Sequence, residues 1–145
     1  MKRLVLAIGL LLFGVRAVVA DDLKTATLYK TPGCQCCEGY ANYLRSNGLT
    51  VKVIESRNMS LVRKEQGVPS NLAGCHTTVV GGYVVEGHVP FFAIKQLLVE
   101  KPAIKGISLP GMPDGSPGMT GTKKAPFAIF AITGEGEPAQ VYATE

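Results

Sequence analysis

Residues 25–48 read Thr25-Ala-Thr-Leu-Tyr-Lys-Thr-Pro-Gly-Cys-Gln-Cys-Cys-Glu-Gly-Tyr-Ala-Asn-Tyr-Leu-Arg-Ser-Asn-Gly48. Two kinds of segment succeed each other here. Thr25 to Tyr29 is short, β-branched and aromatic, which predicts a strand, and Thr31-Pro-Gly33 ends it. From Cys37 onward, Tyr40, Tyr43 and Leu44 fall at i, i+3 and i+4 spacing and predict a helix that Asn47-Gly48 stops. The corner between strand and helix is where Cys34, Cys36 and Cys37 crowd together.

Downstream, Val51-Lys-Val-Ile54 predicts a second strand, and Ser60 is read as the cap of a short helix carrying Leu61 and Val62 and ending near Gly67 and Pro69. Thr77 to Val80 and Tyr83 to Val85 flank Gly81-Gly82, a two-residue loop that can take the positive φ angles of a tight hairpin. Pro90 opens a further helix with Phe91, Ile94, Leu97 and Leu98 on one face, and Pro102 lies beyond its end. The order strand, helix, strand, helix, hairpin, helix is that of a thioredoxin-like α/β sandwich. Ile107 to Gly121 is rich in Gly, Pro, Ser and Met and predicts an irregular loop too long for a simple connector. Phe127 to Ile132 and Gln140 to Ala143 predict a closing C-terminal β-hairpin, in which nothing suggests chemistry.

Upstream, Lys2 and Arg3 precede the apolar run Leu4 to Phe13, and small or apolar residues lead to Val18-Val19-Ala20. This is the pattern of a cleaved signal peptide over residues 1–20, leaving one domain of residues 21–145 in the periplasm. Gly9, Gly14 and Arg16 interrupt the run short of the roughly 20 apolar residues a spanning helix needs, so no stable membrane anchor is expected. Three of the fifteen Lys and Arg residues fall in this leader, leaving twelve against eleven acids. No basic stripe interleaved with aromatics remains, which argues against nucleic acid as a partner.

All four cysteines, the three at the corner and Cys75, lie in the mature part. An even count in an exported chain first suggests two disulfides, yet three thiols within four positions leave a single distant partner. A helix N-terminus favours thiolate over thiol, and thiolates bind Cu(I) and zinc. The spacing lacks the two separated pairs of a mononuclear tetrahedral site. Bridging thiolates holding more than one Cu(I) ion fit it better, with Cys75, in the loop before the hairpin, as fourth sulfur.

His88, in Glu86-Gly-His-Val-Pro90, is a further candidate donor, since neutral imidazole suits copper. His76 is expected to point away if Cys75 faces the site, because strand residues alternate. Pro-Gly-Met occurs at 110–112 and again at 117–119, so Met112 and Met119 offer soft thioethers in the polar loop, whereas Met59 reads as core.

Thr31-Pro-Gly-Cys-Gln-Cys-Cys37, Cys75-His-Thr77, Glu86-Gly-His-Val-Pro90, Leu109-Pro-Gly-Met-Pro113 and Ser116-Pro-Gly-Met119 together resemble CopG-type periplasmic copper-resistance proteins. The resemblance spans nearly the whole mature chain, with Gln35 where family members often carry Gly. It implies a thioredoxin-like fold, copper held by Cys34, Cys36, Cys37 and Cys75 with His or Met donors, and a role in tolerating excess copper. Interconversion of Cu(I) and Cu(II), and a copper exporter or redox partner, are the activities and partners it brings with it; no motif marks a pocket for an organic substrate. The rival reading is a thiol-disulfide oxidoreductase using Cys34 and Cys37 as Cys-x-x-Cys. Against it stand the extra thiol of Cys36 and the lack of a proline directly before the Thr77 strand. A structural zinc module ranks third.

Overall fold

The computed structural model describes residues 24–145; the stretch 1–20 assigned to a leader lies outside them. Strand β1 (Thr25–Lys30) leads into helix α1 (Gln35–Ser46), strand β2 (Thr50–Glu55) and helix α2 (Met59–Gln66). A 3₁₀ turn at Ser70–Leu72 precedes strands β3 (Thr77–Val80) and β4 (Tyr83–Glu86) and helix α3 (Phe91–Glu100). Strands β5 (Gly106–Ser108), β6 (Ala128–Ile132) and β7 (Gln140–Thr144) complete the chain.

The strands form one mixed sheet in the order β2-β1-β3-β4-β5-β6-β7. Parallel neighbours need a crossover long enough to return the chain to the same end of the sheet, and α1 supplies it for β1 and β2 as α3 does for β4 and β5. Alternation along the strands then sorts side chains onto two faces. Leu28, Val80, Val85, Ile107 and Ile129 join Tyr40, Ala41 and Leu44 of α1 and Ala93, Ile94 and Leu97 of α3 in the main core. Val84 and Ile132 turn the other way and are covered by Val68 and Leu72.

The α/β class expected from the sequence holds, and the Gly81-Gly82 hairpin forms with φ angles of 56° and 82°. The closing β6–β7 hairpin also forms, with a bulge between Ile129 and Phe130. Two local expectations are corrected. The presumed loop from Ile107 begins as strand, because Gly106–Ser108 slots between β4 and β6, buried along its length. Three residues that begin with glycine and are followed by Leu109-Pro110 are too few to show a period of their own. The cap of α2 is Asn58, whose side chain accepts from the Leu61 amide, so the helix begins before Ser60.

Register brings distant sequence together at one end of the sheet. Tyr29 of β1 lies opposite Thr77 of β3, and Thr77 opposite Glu86 of β4. Just beyond that row come the turn at 31–33, the pair Cys75-His76, and Gly87-His88.

Candidate metal centre

Helix α1 has Cys34 as its N-cap, with no side-chain hydrogen bond closing the cap. Cys36 and Cys37 therefore sit in the first turn, where backbone N–H groups lack helical partners and the local potential is positive. Cys75, at the bend before β3, reaches the same spot. Its Sγ lies 3.5 Å from Cys34 Sγ, 3.5 Å from Cys36 Sγ and 3.4 Å from Cys37 Sγ. Cys34 and Cys36 are likewise 3.5 Å apart. Cys34 and Cys37 are joined as a disulfide, while Cys36 and Cys75 are free thiols. The four sulfurs expected to form one site do converge, and all lie within 4.8 Å of one another.

A second donor group adjoins the first. Donor atoms of Cys75, His76 and His88 also lie within 4.8 Å of each other. His76 thus faces the same pocket as Cys75, contrary to the alternation argument. The reason is that β3 starts at Thr77, so Cys75 and His76 sit on a bend where strand alternation does not apply. Both imidazoles are fully buried, with ring centroids 4.7 Å apart in an edge-on arrangement. Tyr40 packs against both rings and anchors its hydroxyl by donating to the Val89 carbonyl at 2.8 Å.

Neither ring nitrogen of His76 has a hydrogen-bond partner, and neither does Nε2 of His88. His88 Nδ1 lies 2.7 Å from the Pro117 carbonyl oxygen, an acceptor, so Nδ1 carries the proton and Nε2 keeps its lone pair free. Burial, followed by the neighbouring His88, lowers the His76 pKa to about 3, and burial lowers that of His88. Both rings are therefore neutral near pH 7, the form that binds metal. Burial, reinforced by Cys36, pushes the Cys75 thiol up to about 12, with Arg63 pulling the other way. A soft cation displacing that proton would supply the charge the cavity lacks.

Residues of the Met-containing loop lie over α1. The contact is close at Gly118, where φ is 81° and a Cβ would stand 2.5 Å from the Tyr40 amide nitrogen. Met119 is half-buried and Met112 is 57% exposed. Gly111, before Met112, donates its N–H to the Ala73 carbonyl and forms a bridge with Gly74, which holds this part of the loop beside Cys75. Met59 is buried, as expected of core.

With this geometry in place, the comparison with known proteins is specific. Form 1 of copper resistance protein copG matches with a TM-score of 0.74 and 35% sequence identity, over 83% of this chain and 96% of that one. The chain belongs to the CopG family of copper resistance proteins. Form 2 of copG matches at a TM-score of 0.75 and 34% identity, over 83% of this chain and 97% of that one. A family model described as a protein of unknown function, DUF411, matches residues 72–119, the CopG segment that carries Cys75, both histidines and the Met loop. No curated protein matches the chain.

Sequence reasoning set His76 aside as pointing away, read Tyr40 only as core, and passed over the ion pair of buried Glu86 with Arg63 that borders the site. His76 was discoverable as the neighbour of Cys75 at a loop end. Tyr40 looked like ordinary helix core, and nothing in the spacing links Arg63 to Glu86.

Proposed function

We propose that this protein is a periplasmic copper-binding protein that holds Cu(I) in a polynuclear thiolate site and serves copper resistance. The observation that carries the reading is the arrival of Cys75, from a separate segment, within 3.5 Å of the Cys34, Cys36 and Cys37 sulfurs. With the Cys34–Cys37 disulfide reduced, four bridging thiolates suit several soft monovalent ions better than one hard ion. The unpartnered nitrogens of His76 and His88 support imidazole donors on the same flank, and Met112 and Met119 are proposed as thioether donors from the loop. The names of the copG structures agree with copper as cargo. Export by removal of residues 1–20 belongs to the same reading. Imidazole beside thiolate would also suit both Cu(II) and Cu(I), which favours interconversion of the two, with an external redox partner or exporter downstream.

Anaerobic titration of the reduced protein with Cu(I), followed by elemental analysis and X-ray absorption, tests it. More than one copper per chain with sulfur neighbours is expected, and Cys75→Ser reduces the number bound. A single tightly bound zinc in place of copper would end the proposal.

A second reading has its own support in the Cys34–Cys37 disulfide, a Cys-x-x-Cys pair at the start of a helix. Such a pair exchanges with other thiols when its first sulfur is accessible. Insulin reduction that survives Cys36→Ser would favour it over metal storage.

A further inference from the structure

Glu86 is fully buried, and a lone carboxylate there would be costly. Its partners are specific. Oε1 accepts from Arg63 Nε and from the Gly74 amide, each at 2.8 Å, and Oε2 accepts from the Thr77 hydroxyl at 2.6 Å. Arg63 completes the ring by donating from Nη2 to the Gly74 carbonyl at 2.8 Å. Both polar backbone groups of Gly74 are thus fixed by one ion pair, and so is the side chain of Thr77. These two residues bracket Cys75 and His76. On the other side, the Gly87 amide donates to the His76 carbonyl at 2.9 Å, and His88 follows directly.

We propose that Glu86, paired with Arg63, is a positioning residue of the metal site. It holds the bend that aims Cys75 and His76 into the pocket and registers that bend against His88. This inference rests on the copper reading above. Nothing in strand β4 requires an acid at its end: an apolar residue would bury at lower cost, and replacing a buried ion pair with apolar side chains is often neutral or stabilising. The carboxylate is explained by what it grips. A carboxylate, with two oxygens that both accept, holds the guanidinium, the amide and the hydroxyl at once.

Three proteins test the idea, each used as the full mature chain, reduced and oxygen-free: wild type, Glu86→Gln, and the double variant Glu86→Leu with Arg63→Met. Cu(I) affinity is measured by competition with the chromophoric chelator bicinchoninate, thermal stability by circular dichroism, and the metal-free state by the rate at which iodoacetamide alkylates Cys75 relative to Cys36. Loss of groups that orient metal ligands costs about 10- to 100-fold in affinity, so both variants should bind Cu(I) at least about tenfold more weakly than wild type. The double variant, which leaves no unpaired charge, should melt nearer to wild type than Glu86→Gln does, while its affinity stays low. That divergence separates positioning from mere stability. In the metal-free protein, the Cys75-to-Cys36 alkylation ratio should rise in Glu86→Gln.

If Glu86→Gln does not fold, the double variant carries both measurements. Affinity within about twofold of wild type in a folded variant, against the tenfold expected, would overturn the inference. So would an affinity loss that tracks melting temperature across all three proteins. Wild type that takes up no Cu(I) would defeat the copper reading itself, whereas an unchanged alkylation ratio would defeat the positioning role alone.

Discussion

His76 is a buried imidazole with two unpartnered nitrogens, an arrangement that leaving out a hydrogen bond makes unfavourable by about 1–3 kcal/mol. Metal bound at those nitrogens, as proposed above, would offset that cost. Its depressed pKa has a sign that can be checked. Between the ordinary value of 6.5 and the folded value of about 3, the unfolded chain holds a proton on this ring that the folded, metal-free protein does not. Stability therefore falls as pH drops through that window and is unaffected by this group above it. In metal-free protein, His76→Phe should flatten the fall in urea midpoint between pH 6.5 and 3. A slope identical to wild type would show that the ring protonates freely in the native state. The thioethers belong to the same scale. Met112→Leu combined with Met119→Leu should weaken Cu(I) retention against bicinchoninate and leave the circular dichroism spectrum unchanged. Unaltered affinity would remove the loop from the site.

At the scale of elements, what could be read from residue types was periodic or punctuated. The hairpin was marked by Gly81-Gly82, α3 by Pro90 and a one-faced apolar pattern, and α1 by its tyrosines. What escaped was set by tertiary partners. Strand β5 exists because β4 and β6 flank it, and its three residues carry too little pattern to announce that. His76 was misassigned because strand alternation was extended back through Cys75, two residues before β3 begins at Thr77. The sulfur cluster, by contrast, was legible, since three thiols at one helix start leave little choice of environment. The loop over α1 offers a test at this scale. Gly118→Ala would force a Cβ against the Tyr40 backbone and impose a positive φ on alanine. Hydrogen exchange at residues 116–120 should quicken in this variant while the amides of β1 and β3 keep their protection. Unchanged exchange in the loop would mean that the contact does not hold it.

For the whole molecule, both faces of the sheet are covered, and among the described residues no helix is long and apolar enough to cross a membrane. The proposed export has a direct check: protein recovered from a periplasmic extract should begin at Asp21 by amino-terminal sequencing. Recovery in the cytoplasmic fraction with Met1 retained would place the copper chemistry in another compartment. The sequence could point to this because leaders are recognised by composition, independent of the fold that follows.

The Cys34 and Cys75 sulfurs, 3.5 Å apart, are separated by 41 positions along the chain. Metal bridging them would turn that stretch, with α1, β2 and α2 inside it, into a closed ring. A load applied between the two ends of the molecule would then bypass everything within the ring and pass through the metal–sulfur bonds. Single-molecule extension of the loaded protein would lengthen by a contour shorter by that ring, and removing the metal would release the hidden length.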